Sequence, residues 1–183
     1  MARVELLEQE QLPEDMRWLF DRLKGEGGRV GDIFKVHAHN AQILRGSMIL
    51  GTAILQRSKL DAKLRELAIV RTGYLTGADY EYYAHIRSAR RVGVTDAEIE
   101  AVPQGAAAPV FGEVQKAVLA YTDALTASPP KIDDTLFQRV RSHLSEQEIV
   151  ELSFTVGYYN MLGRVMVALN VVPEPGSGPH QSH

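Results

Sequence analysis

The stretch Leu64 to Gly93, LRELAIVRTGYLTGADYEYYAHIRSARRVG, decides the fold. Apolar residues recur at helical intervals through Leu75, and Asp61 stands where an N-cap belongs. Thr76-Gly77 then reads as a connection. Thr76-Gly-Ala-Asp79 fits a capping box that opens a second helix running to about Val92 and ending at Gly93. Two helices joined so tightly form an antiparallel hairpin, in which residues equally distant from the turn lie side by side. Glu66 precedes Thr76 by ten residues and His85 follows it by nine. At ~1.5 Å per residue both sit roughly 14–15 Å from the turn.

Their faces agree with such a meeting. Glu66 shares its stripe with Ala62, Ile69, Val70 and Gly73, and His85 shares one with Ala78, Glu81, Tyr82, Ser88, Ala89 and Val92. These faces are apolar or small, so they point at another helix. A carboxylate removed from water is costly without a donor, and a facing imidazole supplies one. Lys63 is a competitor for the same carboxylate. Glu81 lies one turn before His85, near the positive end of its helix. Glu66, His85 and Glu81 are therefore the candidate catalytic residues: one carboxylate fixes the tautomer while the ring moves a proton near neutral pH. Two other readings stay open at this point. A Glu–His pair across a hairpin is often just a satisfied buried contact, and Glu and His at one-turn spacing also occur as metal ligands, although no second Glu-x-x-His accompanies them.

Outward from the hairpin, helical spacing continues. Leu12 to Lys24 repeats Met16, Leu19, Phe20 and Leu23, and Ile33 to about Gln56 reads as helix with a break near Asn40. Thr95-Asp-Ala-Glu98 and Ser145-Glu-Gln-Glu148 are further capping boxes, the second opening a long helix to Asn170. Phe111 to Thr126 is helical until Pro129-Pro130, and Asp133 or Asp134 caps the next helix. No window alternates as a strand does. The expectation is an all-α protein, one helical domain over residues 1–172, with a disordered Pro-, Gly-, Ser- and His-rich tail over 173–183.

Composition bounds the function. The 183 residues are 45% hydrophobic and 23% charged, with a formal charge of −3, which argues against a nucleic-acid partner. There is no cysteine, which excludes disulfides, thiolate-bound metal and any thiol nucleophile. Leu152 to Leu169 is apolar enough to raise the question of a membrane span, but Asn160 and Arg164 inside it favour a buried helix. No membrane partner is expected, and without a secretory signal the cytoplasm is the default location.

Candidate substrate-binding residues are Tyr80, Tyr82 and Arg71. The tyrosines sit beside the site and offer hydroxyls to a substrate oxygen, or serve as core aromatics. Arg71 either holds a substrate carboxylate or pairs internally. His37 and His39 alternate unsuitably for one helical face, and Asn160 and Arg164 read as inter-helix hydrogen-bonders. Aromatic and Met residues including Trp18, Phe20, Phe154, Tyr158, Tyr159 and Met161 exceed what a small domain buries, so subunit interfaces are expected.

The runs Arg65-Glu66-Leu67-Ala-Ile-Val-Arg71, Gly77-Ala-Asp-Tyr80-Glu81-Tyr-Tyr-Ala-His85 and Gly93-Val-Thr-Asp-Ala-Glu-Ile99 resemble the carboxymuconolactone decarboxylase family, which includes alkylhydroperoxidase D. The resemblance covers about Phe34 to Val102, and Gly157 to Arg164 is similar to the C-terminal helix of longer members. It implies an alkylhydroperoxidase D-like helical bundle assembling as homotrimers or hexamers. In the peroxidase branch a Glu, a Cys-x-x-Cys pair and a His form a proton relay. Here Glu66 and His85 fill the first and last positions, while Ala78 and Glu81 replace the cysteines. Without a thiolate the disulfide cycle cannot operate. The decarboxylase branch needs no cysteine but does not share the Gly-Ala-Asp-Tyr-Glu pattern. The expectation is cofactor-free, metal-free acid–base chemistry of lyase type on a small carboxylated or lactone substrate. The alternatives are a non-catalytic scaffold and a peroxidase label inherited without its cysteines.

Overall fold

The computed structural model describes residues 2–25 and 28–173, and the expected disorder of the tail lies, but for Pro173, outside the described residues. Among them the elements are helical: α1 (Trp18–Leu23), α2 (Asp32–His37), α3 (Ala41–Gln56), α4 (Ala62–Thr76), α5 (Asp79–Arg91), α6 (Asp96–Ala101), α7 (Glu113–Thr126), α8 (Asp134–Arg141) and α9 (Glu146–Leu169).

Helix α4 is the axis. Every residue from Leu64 to Gly73 is buried, because α5, α7 and α9 each pack against a different side of it. Leu67, Ala68 and Ile69 are wholly buried, and each large apolar side chain so placed contributes about 1.5–3 kcal/mol. Burial all round brings polar residues inside as well: Arg65, Glu66, Arg71 and Thr72.

The hairpin forms as its spacing dictates, with a different turn. Asp61 caps α4 through the N–H groups of Lys63 and Leu64. Gly77 then closes α4 in the left-handed conformation at φ 65°, which glycine adopts without strain. Thr76 belongs to the last turn of α4, and its hydroxyl donates back to the Thr72 carbonyl at 2.8 Å. It therefore cannot open α5, whose N-cap, Ala78, has no side-chain acceptor. The expected capping box at Thr76 is absent, whereas those at Thr95 and Ser145 form.

Gly73 permits the close approach of the two rods. A β-carbon there would lie 3.0 Å from the Tyr82 nitrogen and 3.1 Å from its Cα, both backbone atoms of α5.

The N-terminal region departs from its periodicity. Leu12 is extended before Pro13, which has no N–H and disfavours a helical predecessor, so only a 3-10 turn at Glu14–Met16 and the short α1 form. The break near Asn40 is real: its side chain accepts from Gln42 and Ile43 and caps α3. No helix among the described residues is long and apolar enough to cross a membrane.

Candidate functional site

The hairpin brings Glu66 and His85 together. His85 Nδ1 donates to Glu66 Oε2 at 2.7 Å, a short charge-assisted bond between α5 and α4. Glu66 accepts at Nδ1, so the other ring nitrogen, Nε2, is left for chemistry. It faces Glu81 Oε2 at 3.7 Å, too long for a hydrogen bond but close enough for strong electrostatic coupling. Glu81 is buried, and its Oε1 has no hydrogen-bond partner. The edge of the ring packs on Tyr159 of α9, with centroids 4.8 Å apart at 81°. Lys63 does not compete, because it pairs with Glu98 at 2.9 Å.

The electrostatics favour a retained proton. Burial pushes the His85 imidazole down, but the Glu66 hydrogen bond and charge, with the Glu81 charge behind them, outweigh it and leave the ring above its ordinary value. Burial pushes Glu81 up, against a smaller opposing pull from His85. Both groups hold protons more tightly than in water. Tyr158 is pushed up to about 12 by burial and by the Glu81 charge, and Tyr159 is raised for the same two reasons, so both stay neutral hydroxyls.

His85 and Glu81 line a cavity of about 750 Å³ walled by α3, α5 and α9. Tyr80 lines it too. The two other expected substrate contacts lie elsewhere. Tyr82 packs against the rings of Tyr74 and Tyr83 and into the apolar cluster around Leu67 and Val94. Arg71 pairs internally: it grips Asp123 at 2.6 and 3.0 Å and donates to the carbonyls of Val102 and Pro103. A buried guanidinium needs its donors filled, and α7 supplies the carboxylate from 52 positions away. The three-ligand metal reading also fails, because Glu66 and Glu81 approach opposite nitrogens of one ring and do not converge. Among the described residues no group of three His, Cys, Asp or Glu could hold a metal ion.

Tyr158 and Tyr159 are site residues that the sequence suggested only as surplus aromatics. Both are buried, as is Phe20, whereas Trp18, Phe154 and Met161 are exposed. Tyr158 donates to the Ser47 carbonyl of α3 at 2.9 Å, tying two cavity walls together. Their adjacent position on an apolar helix was the available signal, but which element they would meet depended on the packing of α9.

This arrangement of helices is the alkylhydroperoxidase D-like fold. The chain superposes on the alkylhydroperoxidase AhpD core of an uncharacterised peroxidase-related protein from Ralstonia eutropha JMP134 with a TM-score of 0.84, at 17% identity, covering 96% of this chain and 94% of that one. The debrominase Bmp8, as a cysteine-to-alanine variant in complex with 2,3,4-tribromopyrrole, gives a TM-score of 0.82 at 18% identity over 97% of this chain and 96% of that one. The model of the carboxymuconolactone decarboxylase family matches residues 41–124, and over that stretch this chain, which has no cysteine, is similar to that family. The uncharacterised protein YnjA of Escherichia coli K12 is 28% identical over 126 residues, 68% of this chain and 69% of its own length.

Proposed function

We propose that the protein is a cofactor-free acid–base enzyme of lyase type, acting on a carboxylated or lactone substrate in the cavity beside His85. The observation that carries this reading is the aligned Glu66–His85–Glu81 set. One ring nitrogen is fixed at 2.7 Å, and the other is turned toward a buried carboxyl group whose Oε1 has no hydrogen-bond partner.

In the proposed step the bond from the substrate carbon to its carboxylate breaks and carbon dioxide leaves. The electron pair passes into the conjugated carbonyl as an enolate. His85 Nε2–H then delivers its proton to that carbon, and the ring regains one from solvent. Glu66 holds the tautomer and stabilises the imidazolium. Glu81, facing Nε2 at 3.7 Å, is the polar group beside the proton in transit. General acid catalysis of this kind contributes roughly 10²–10⁴-fold, and the hydroxyls of Tyr80 and Tyr159 add donors to the wall. The tribromopyrrole complex of Bmp8 supports a planar ring as a reasonable occupant of this fold.

The test follows deuterium uptake at carbon and carboxylate loss by NMR in D₂O, with a panel of γ-lactone carboxylates and β-keto acids. Wild-type protein is expected to turn over at least one, and His85→Gln, which keeps an N–H for Glu66, to lose roughly a hundredfold or more. Turnover unchanged in His85→Gln, or no exchange by wild-type protein on any member of the panel, overturns the reading.

A further inference from the structure

The cavity is not uniform. Its most deeply set polar members are His85 and Glu81, whose side chains are largely buried. Its apolar lining includes Ile33, Phe34, Met48, Leu55 and Leu162. At its mouth stand two cations, Arg22 at the end of α1 and Arg57 just after α3. Both are exposed. Neither guanidinium has a carboxylate partner among the described residues, and Arg22 rests over the Trp18 ring at 5.9 Å. Glu81 is the one carboxylate in the lining.

At about 750 Å³ the cavity is far larger than one lactone ring needs, and falls in the ~300–1,000 Å³ range that holds ligands of drug-like size. Buried polar groups that donate and accept protons, an apolar lining and a cationic mouth together describe an elongated guest. We infer that the cavity binds an amphipathic anion: a reacting carbonyl at His85 and Glu81, an apolar chain or ring system between α3 and α9, and a remote carboxylate held by Arg22 and Arg57. This deepens the proposed function, on which it rests for the reacting end alone. The mouth arginines steer and anchor the substrate, so their contribution falls on affinity and KM. Arginine suits this role because its planar fork meets both carboxylate oxygens.

Binding is tested with octanoate against 1-octanol, an equal apolar chain without the charge. The chain's single tryptophan, Trp18, lies under Arg22 and reports occupancy by its fluorescence, with calorimetry as a second readout. Wild-type protein is expected to bind octanoate about tenfold or more tightly than octanol, a preference that weakens in added salt. The Arg22→Gln/Arg57→Gln pair should lose about tenfold for octanoate and leave octanol unchanged. An Arg22→Ala/Arg57→Ala pair repeats the measurement should the first fold poorly. Equal affinity for acid and alcohol, undiminished octanoate binding in both double variants, or no binding of either probe overturns the inference. Failure of the proposed reaction looks different: arginine-dependent octanoate binding without proton exchange on the lactone and keto-acid panel ends the reaction and leaves the binding mode standing. Exchange whose KM ignores both arginines does the reverse.

Discussion

Gly73→Ala separates the geometry of the hairpin from its stability. The added methyl would sit 3.0 Å from the Tyr82 nitrogen, 3.1 Å from its Cα and 3.3 Å from its Cβ, so α5 has to move outward by a few tenths of an ångström. Overpacking of this kind costs about 1–3 kcal/mol, against which Ala in place of Gly in a helix returns about 0.5–1 kcal/mol. The net expectation is a loss of about 0.5–2 kcal/mol. The effect on the site is the sharper one. Tyr82 lies three residues before His85, roughly 4.5 Å along α5, so the ring moves with the wedge. A bond of 2.7 Å between His85 and Glu66 has little slack before it weakens. Losing even half of a charge-assisted bond worth about 1.5–3 kcal/mol slows proton transfer by up to about tenfold. The assay pairs urea unfolding with NMR of the His85 ring. Gly157→Ala serves as the control: it is exposed on α9, with nothing within 4 Å of its added methyl, and should gain about 0.5–1 kcal/mol. If Gly73→Ala gains stability as Gly157→Ala does and leaves the His85 ring signals unmoved, the claim that close α4–α5 packing sets the site is refuted.

Glu66→Gln is expected to lower the His85 pKa, because the burial that pushes it down stays while the hydrogen-bonded charge that pushes it up is gone; NMR titration of the ring reads the direction. In wild-type protein a raised His85 contributes stability that is fully present below pH 6.5 and lost as pH rises through its folded value, so the neutral-to-alkaline limb of the stability curve should flatten in this variant. Glu98 is held at about 2 against an ordinary 4.5: burial raises it, and the Thr95 backbone N–H, Lys63 and Gln115 more than offset that. The contribution, on the order of 3 kcal/mol, is present above pH 4.5 and lost as pH falls toward 2, and acid unfolding of Glu98→Gln should lack that limb. Helix α9 exposes Val150, Phe154 and Met161 along one face, an apolar stripe. Phe154→Glu/Met161→Glu is expected to convert a homo-oligomer to monomer in sedimentation, and a wild-type protein that is already monomeric contradicts the expected self-association.

Residues near one another along the chain carry their own instructions. Asp61, Thr95, Asp133 and Ser145 cap helices where their side chains predict, because a cap is a bond to an N–H two or three residues on. The Glu66–His85 contact follows from spacing alone, since a two-residue turn leaves two rods no freedom of register. The absence of cysteine removes the thiol chemistry of the peroxidase branch whatever the fold. The Thr76 turn departs from its motif because Gly77, by going left-handed, closes one helix where a capping box would have opened the next. Arg71 looks available in the sequence until α7 delivers Asp123, and Tyr158 and Tyr159 look surplus until α9 lays them against α3 and α5. Helix pairing across a short turn is fixed by local geometry, whereas the partners of α4, α7 and α9 lie up to a hundred residues apart. Only the shared burial of their apolar faces brings those helices together and encloses a cavity beside His85.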